Sequence, residues 1–114
     1  MHELGVTQEV IDAVLARVNG ARVTRIVLEV GRISTLLPDT IRFCFDLCAE
    51  GTPLEGAVLE IVETPGIARC RVCNGTMQLE SILGYCACGS ADLDWLSGND
   101  LKVTRIDVKT DTRN

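Results

Sequence analysis

The chain has 114 residues, enough for one ordinary domain, and its apolar content is nearly all aliphatic: one Trp, one Tyr and two Phe leave Val, Ile and Leu to build a core. A formal charge of −5, more negative still once thiolates bind a divalent ion, sets the surface against the phosphates of nucleic acid. No apolar run approaches the ~20 residues of a bilayer span, and Glu3, Glu9 and Asp12 stand where a secretory leader would be basic and then unbroken apolar. A cytoplasmic location is therefore expected, where paired cysteines serve metals or redox chemistry more often than disulfides.

The chain opens Met1-His2-Glu3, and His2 is its only histidine. A free α-amine, the next amide nitrogen and an imidazole lie on one short stretch of chain and can close two small chelate rings around one metal. A planar set of nitrogens suits Ni(II) or Cu(II) better than Zn(II), which prefers a tetrahedron. Taken alone, a histidine here is more simply an accident of sequence. If it is a ligand, affinity should fall on acidification, because the amine (pKa about 8) and the imidazole (about 6.5) must both be unprotonated to bind.

Val6, Val10, Ile11, Val14, Leu15 and Val18 then follow helical spacing, with Thr7 the expected cap and Gly20 the stop. From Arg22 to Gly31 the pattern alternates, Ile26, Leu28 and Val30 on one face and Arg25 and Glu29 on the other, as in a half-buried strand. Pro38 and Asp39 open a second helix whose stripe is Ile41, Cys44, Phe45 and Cys48, closing near Gly51. Cys44 and Cys48 share that stripe and are read as small hydrophobes rather than ligands. Strands at Ala57 to Glu63 and Leu101 to Lys109 complete an α+β unit of two helices and a small three-stranded sheet.

Residues 65–98 differ in character. They hold four of the six cysteines and five of the ten glycines, with too few large apolar residues for a core, so a metal staple is expected. In Cys70-Arg-Val-Cys73-Asn-Gly75 the two-residue gap lets the backbone turn around an ion, with Gly75 expected to supply a positive φ. Cys86-Ala-Cys88-Gly89 follows with a gap one residue shorter. Sulfurs on one Zn(II) stand roughly 3.8 Å apart, whereas alternate residues of an extended strand stand about 6.6 Å apart, so the backbone must bend at Ala87. Four thiolates make a closed structural zinc site with no open position for chemistry.

The opening Met1-His2-Glu3-Leu4, the Phe43-Cys-Phe45 helix leading to Gly51-Thr52 and Glu55-Gly56-Ala57, the inserted Cys70-x-x-Cys73, the Cys88-Gly89-Ser90 end and the closing Ser97-Gly98-Asn-Asp-Leu101 together resemble the HypA/HybF family of hydrogenase nickel-incorporation proteins. The resemblance spans nearly the whole chain. It implies a nickel metallochaperone with a nickel-binding α+β domain of residues 1–64 and 99–114 and an inserted zinc-ribbon-like domain of residues 65–98. Labile Ni(II) would sit on Met1 through its amine and on His2 through imidazole and amide nitrogen, with Glu3 giving its backbone or standing behind. Structural Zn(II) would sit on Cys70, Cys73, Cys86 and Cys88. The family usually has Cys-Pro-x-Cys at the second pair; with no further histidine in the chain, only an aspartate such as Asp92 could stand in for one of the four.

The implied partners are the large subunit of [NiFe]-hydrogenase and a companion nickel-handling GTPase, with a homodimer open as an assembly. An enzyme is disfavoured, since the lone histidine has no nearby nucleophile and no paired carboxylates point to acid–base work. Two other classes compete: a zinc-ribbon protein-interaction module without labile metal, and a four-cysteine iron electron carrier, which would be coloured and redox-active.

Overall fold

A computed structural model describes residues 3–109. In chain order the elements are α1 (Glu3–Val18), β1 (Val23–Gly31), α2 (Pro38–Ala49), β2 (Val58–Thr64), β3 (Gly66–Cys70), β4 (Thr76–Leu79), β5 (Leu93–Ser97) and β6 (Leu101–Val108). They form two three-stranded sheets, ordered β2-β1-β6 and β4-β3-β5, so the fold is α+β as expected. The chain divides into two compact units: one comprises the residues up to Leu28, Leu36–Ile61 and those from Val103 on, the other Glu29–Thr35 and Val62–Lys102. Among the described residues no helix is long and apolar enough to cross a membrane.

The first unit holds most of the core. Ile11 and Val14 of α1, Val23, Ile26 and Leu28 of β1, Ile41, Cys44, Phe45 and Ala49 of α2, and Leu54 and Leu59 are all buried. Each large aliphatic side chain removed from water stabilises the fold by about 1.5–3 kcal/mol relative to leaving it exposed. Three of the four expected stripe residues of α2, Ile41, Cys44 and Phe45, are buried, while Cys48 is half-buried and Ala49 takes the fourth buried place. Burial, the neighbouring Cys44 and Asp12 raise the pKa of Cys48, which suits an inert packing thiol. The strand alternation of β1 slips by one residue, since Val23 and Ile26 are both buried with two exposed residues between them.

Thr7 does not cap α1. The helix is already running at Glu3, and Thr7 is buried on its inner face, one turn before Ile11 and two before Val14. Its hydroxyl has no hydrogen-bond partner among the described residues. Burial of the Thr7–Ile11–Val14 face outweighs the threonine's preference for a helix start. At the other end α1 stops as expected: Asn19 and Gly20 both take positive φ, and the Ala21 N–H donates to the Val18 carbonyl at 3.0 Å.

The second unit buries little: Val30, Ile33, Ala68, Cys70 and Cys86. Its antiparallel sheet is not evident strand by strand in the sequence. β3 pairs with β4 in the register Gly66↔Leu79 to Arg69↔Thr76, and with β5 from Ile67↔Ser97 to Cys70↔Leu93, with a shift between Ile67 and Ala68. The inward positions of β3 are Gly66, Ala68 and Cys70. Those residues are too small to give the alternating apolar signal by which a strand is read from sequence.

The entry into this sheet rests on close backbone contact. Gly98 has φ +96°, and a Cβ there would lie 2.5 Å from Gly66 Cα and 2.6 Å from the Pro65 carbonyl oxygen. A Cβ on Gly31 would lie 1.8 Å from the Gly98 carbonyl oxygen. Gly98→Ala is expected to cost about 3 kcal/mol or more. Gly20→Ala, also at positive φ but facing open space, should cost only about 1–2 kcal/mol. Denaturant unfolding of both variants checks the contrast, and equal losses would mean that the Gly98 contact is unimportant.

Candidate metal centre

Cys70 ends β3, and the chain then turns back on itself. The Asn74 N–H donates to the Cys70 carbonyl at 2.9 Å and the Cys70 N–H to the Gly75 carbonyl at 2.8 Å. Inside this turn the Val72 and Cys73 N–H groups point at Cys70 Sγ, at 3.4 and 3.5 Å. The positive φ falls on Asn74, at 63°, and not on Gly75 as expected. Asparagine tolerates the left-handed region because its short polar side chain can bond locally. Gly75 has neither a positive φ nor a crowded Cα, since a Cβ there would stand at an ordinary contact distance of 3.5 Å from Cys73 Sγ.

The second pair makes a turn of the same kind despite its shorter gap. The Gly89 N–H donates to the Cys86 carbonyl at 2.8 Å, the Cys86 N–H to the Ser90 carbonyl at 2.8 Å, and the Cys88 N–H points at Cys86 Sγ at 3.5 Å. Gly89 takes φ +95°. The bend required between Cys86 and Cys88 is therefore present, closed by the glycine beside it.

The two turns face each other. Cys70 Sγ lies 3.7 Å from Cys88 Sγ, Cys73 Sγ lies 3.5 Å from Cys86 Sγ, and all four sulfurs fall within 4.8 Å of one another. Cys70 and Cys86 are buried, Cys73 and Cys88 exposed. The separations match the roughly 3.8 Å edge of a tetrahedron of thiolates around an ion with bonds of ~2.3 Å. Among the described residues this is the only group of three or more Cys, His, Asp or Glu side chains placed to hold a metal.

Electrostatics favour a cation there. The Cys70 thiol is pulled down to about 6, first by the Cys73 backbone amide and then by that of Val72, which outweigh its burial. Cys73 moves the other way: the Gly75 amide favours its thiolate, but the sulfurs of Cys86 and Cys70 and some burial together leave it above the ordinary thiol value. Neighbouring thiols cannot all ionise side by side, and a divalent ion removes that conflict.

Asp92, the other donor considered from sequence, is engaged elsewhere. Its carboxylate pairs with Arg71 at 3.2 Å, and Arg71 reaches Asp94 at 3.6 Å. The Arg71 N–H also donates to the Asp92 carbonyl at 3.0 Å. This clasp between the first cysteine turn and the start of β5 leaves little trace in the sequence, only a basic residue inside Cys70-x-x-Cys73 and two aspartates after Ser90.

At the other candidate site, Met1 and His2 lie outside the described residues. Glu3 is described: its Oε2 accepts the Leu37 N–H at 3.0 Å, just ahead of α2. That bond, with the Glu3 amide, holds the carboxylate below its ordinary pKa.

A family model described as hydrogenase/urease nickel incorporation, metallochaperone, hypA matches residues 1–108. The chain belongs to the HypA family. Its relatives include proteins named hydrogenase maturation factor HypA from Trichormus variabilis, 50% identical over 109 residues with 96% of each chain covered, and from Nostoc punctiforme, 49% identical over the same length and coverage. The fold is that of the solution structure of the Ni metallochaperone HypA from Helicobacter pylori, with a TM-score of 0.70 at 22% identity, covering 97% of this chain and all of that one. HypA proteins are maturation factors, so the family is one of metal handling and not of catalysis.

Metal binding by the cysteine cluster is expected to need all four sulfurs and not Asp92. Cys88→Ser should lower affinity at least about 100-fold, while Asp92→Asn should leave metal content unchanged by elemental analysis. Removing the metal with a strong chelator should alter the fluorescence of Trp95, the chain's only tryptophan and a member of β5. The far-UV helix signal should persist, because α1 and α2 both belong to the other unit. Loss of both signals together would show that the cysteine cluster does not stabilise its own unit separately.

Proposed function

We propose that this HypA protein carries Ni(II) at its N-terminus and delivers it for maturation of [NiFe]-hydrogenase, while the four cysteines hold a structural Zn(II). The nickel ligands are the Met1 amine and the His2 imidazole and amide nitrogen; the zinc ligands are Cys70, Cys73, Cys86 and Cys88. The carrying observation is the family match over residues 1–108, which includes the Met1-His2-Glu3 start. The gathered sulfurs, which leave no open position for a transferable ion, support the division of labour. The domain boundaries in this reading are residues 1–64 and 99–114 for nickel and 65–98 for zinc. The large hydrogenase subunit and a companion nickel-handling GTPase are the partners, in the cytoplasm.

The chemistry is ligand exchange. Nitrogen donors at a chain end can be replaced one at a time by a recipient's ligands, whereas four thiolates anchored in two facing turns must all be released together. Glu3, with its carboxylate committed to the Leu37 amide, ties the residue after His2 to the entry of α2 and leaves ligation to the groups before it.

His2→Ala is expected to abolish stoichiometric nickel binding while leaving the fold and the zinc content intact. A residue added before Met1 should weaken nickel binding alone. Between about pH 8 and pH 5, nickel should leave first as the amine and imidazole take up protons. Equilibrium dialysis with elemental analysis on untagged protein reads all three results. Full nickel affinity in His2→Ala would move the site elsewhere. A coloured, redox-active preparation would replace the zinc reading with an iron one.

A further inference from the structure

Helix α2 buries one face through Ile41, Cys44, Phe45 and Ala49, yet two large apolar residues stand on its solvent side. Phe43 is 65% exposed and Leu47, one turn on, 52% exposed. Residues four apart lie one above the other on a helix, about 6 Å apart along the axis, and form one ridge. Three carboxylates accompany them: Asp39 one turn before Phe43, Asp46 beside Leu47, and Glu50 one turn after Asp46, all exposed. None of the three has an ion-pair partner among the described residues, where the paired acids are Glu60, Glu80, Asp92, Asp94 and Asp107. Arg42, the one cation on this side of α2, donates instead to the Leu59 carbonyl at 2.7 Å.

A single exposed apolar residue needs no explanation, but a Phe–Leu ridge lined by unpaired acids is a surface with a defined complement. We infer that the outward face of α2 is a docking site for a basic amphipathic helix of a partner protein, whose apolar side chains pack on Phe43 and Leu47 while its Lys or Arg residues meet Asp39, Asp46 and Glu50. The charge decides among occupants. A second copy of this chain meeting the face symmetrically would set the same carboxylates against each other. Anionic lipid and nucleic acid are repelled for the same reason. A helix fits because its own i, i+4 ridges repeat at the spacing of Phe43 and Leu47. The surface shares no residue with the proposed nickel and zinc ligands, so the inference stands whether or not the nickel reading holds.

The probe is a synthetic amphipathic peptide of leucines at helical spacing with lysine on its flanks; its counterpart carries glutamate for lysine. The lysine peptide should bind the full-length, metal-loaded protein with amide chemical-shift changes confined to α2 and its flanks, and the glutamate peptide should not bind. Phe43→Ser with Leu47→Ser should weaken binding about tenfold or more. Because both residues are exposed, the variant should keep its helix signal. Asp39→Lys, Asp46→Lys and Glu50→Lys together should reverse the preference between the peptides, a result that non-specific adhesion to the acidic chain would not give. Shift changes centred elsewhere, unchanged affinity in the serine variant, or self-association through this face in sedimentation would each overturn the inference.

Discussion

Four sulfurs drawn within 4.8 Å of one another are what the smaller unit has in place of a core. The larger unit buries a set of large side chains from two helices and a sheet, and its stability follows from area removed from water. The smaller one buries Val30, Ile33, Ala68 and two of the cysteines themselves. So few apolar atoms cannot offset the entropy of ordering three short strands and their loops, which costs about 1–2 kcal/mol per residue for the backbone alone. A cation held between the four gathered sulfurs would offset that cost, and in a unit so short of core its binding would be coupled to folding. The N–H groups of Val72, Cys73 and Cys88, aimed at sulfur, are how the backbone contributes.

The sequence was most legible where large side chains repeat with a clear period. The α2 stripe and the alternation of Ile26, Leu28 and Val30 in β1 are burial patterns written directly in apolar residues. It was least legible where the inward residues are small. Gly66, Ala68 and Cys70 line the inside of β3 without forming an apolar run. Thr7 shows a different failure: its chemistry favours a helix start, but the tertiary contacts of its face place it inside the helix. Asn74 shows a third, because two neighbouring residues could each take the left-handed turn and their residue types alone do not say which one does.

For the metal centre, residue type and spacing were enough to choose the four cysteines, and the one-residue gap between Cys86 and Cys88 was the open point. The turn from Cys86 to Gly89 closes that gap, and the Arg71 clasp occupies the competing carboxylate. Spacing alone cannot reveal such a clasp, because it joins residues twenty-one apart whose meeting depends on β3 and β5 pairing first. The N-terminal site differs in kind. Its proposed donors belong to the first two residues and need no fold to be brought together, so the sequence is the natural place to find them. What the fold adds is Glu3, whose bond to the Leu37 amide is a contact across thirty-four positions.

The Phe43-Cys-Phe45 triplet shows what a helix can conceal. Alternate residues on a helix are about 200° apart, so the two phenylalanines face nearly opposite ways. Phe45 joins the core and Phe43 stands in solvent. An aromatic ring left exposed forgoes the burial that stabilises its neighbour, and nothing in the packing of α2 requires an aromatic at that position. The acids around it argue against mere drift, because an apolar ridge without flanking charge would invite self-association, and same-sign carboxylates on the two sides of a symmetric contact oppose it. The outward face of α2 is thus protected against its own copies by the groups that make it attractive to a basic partner.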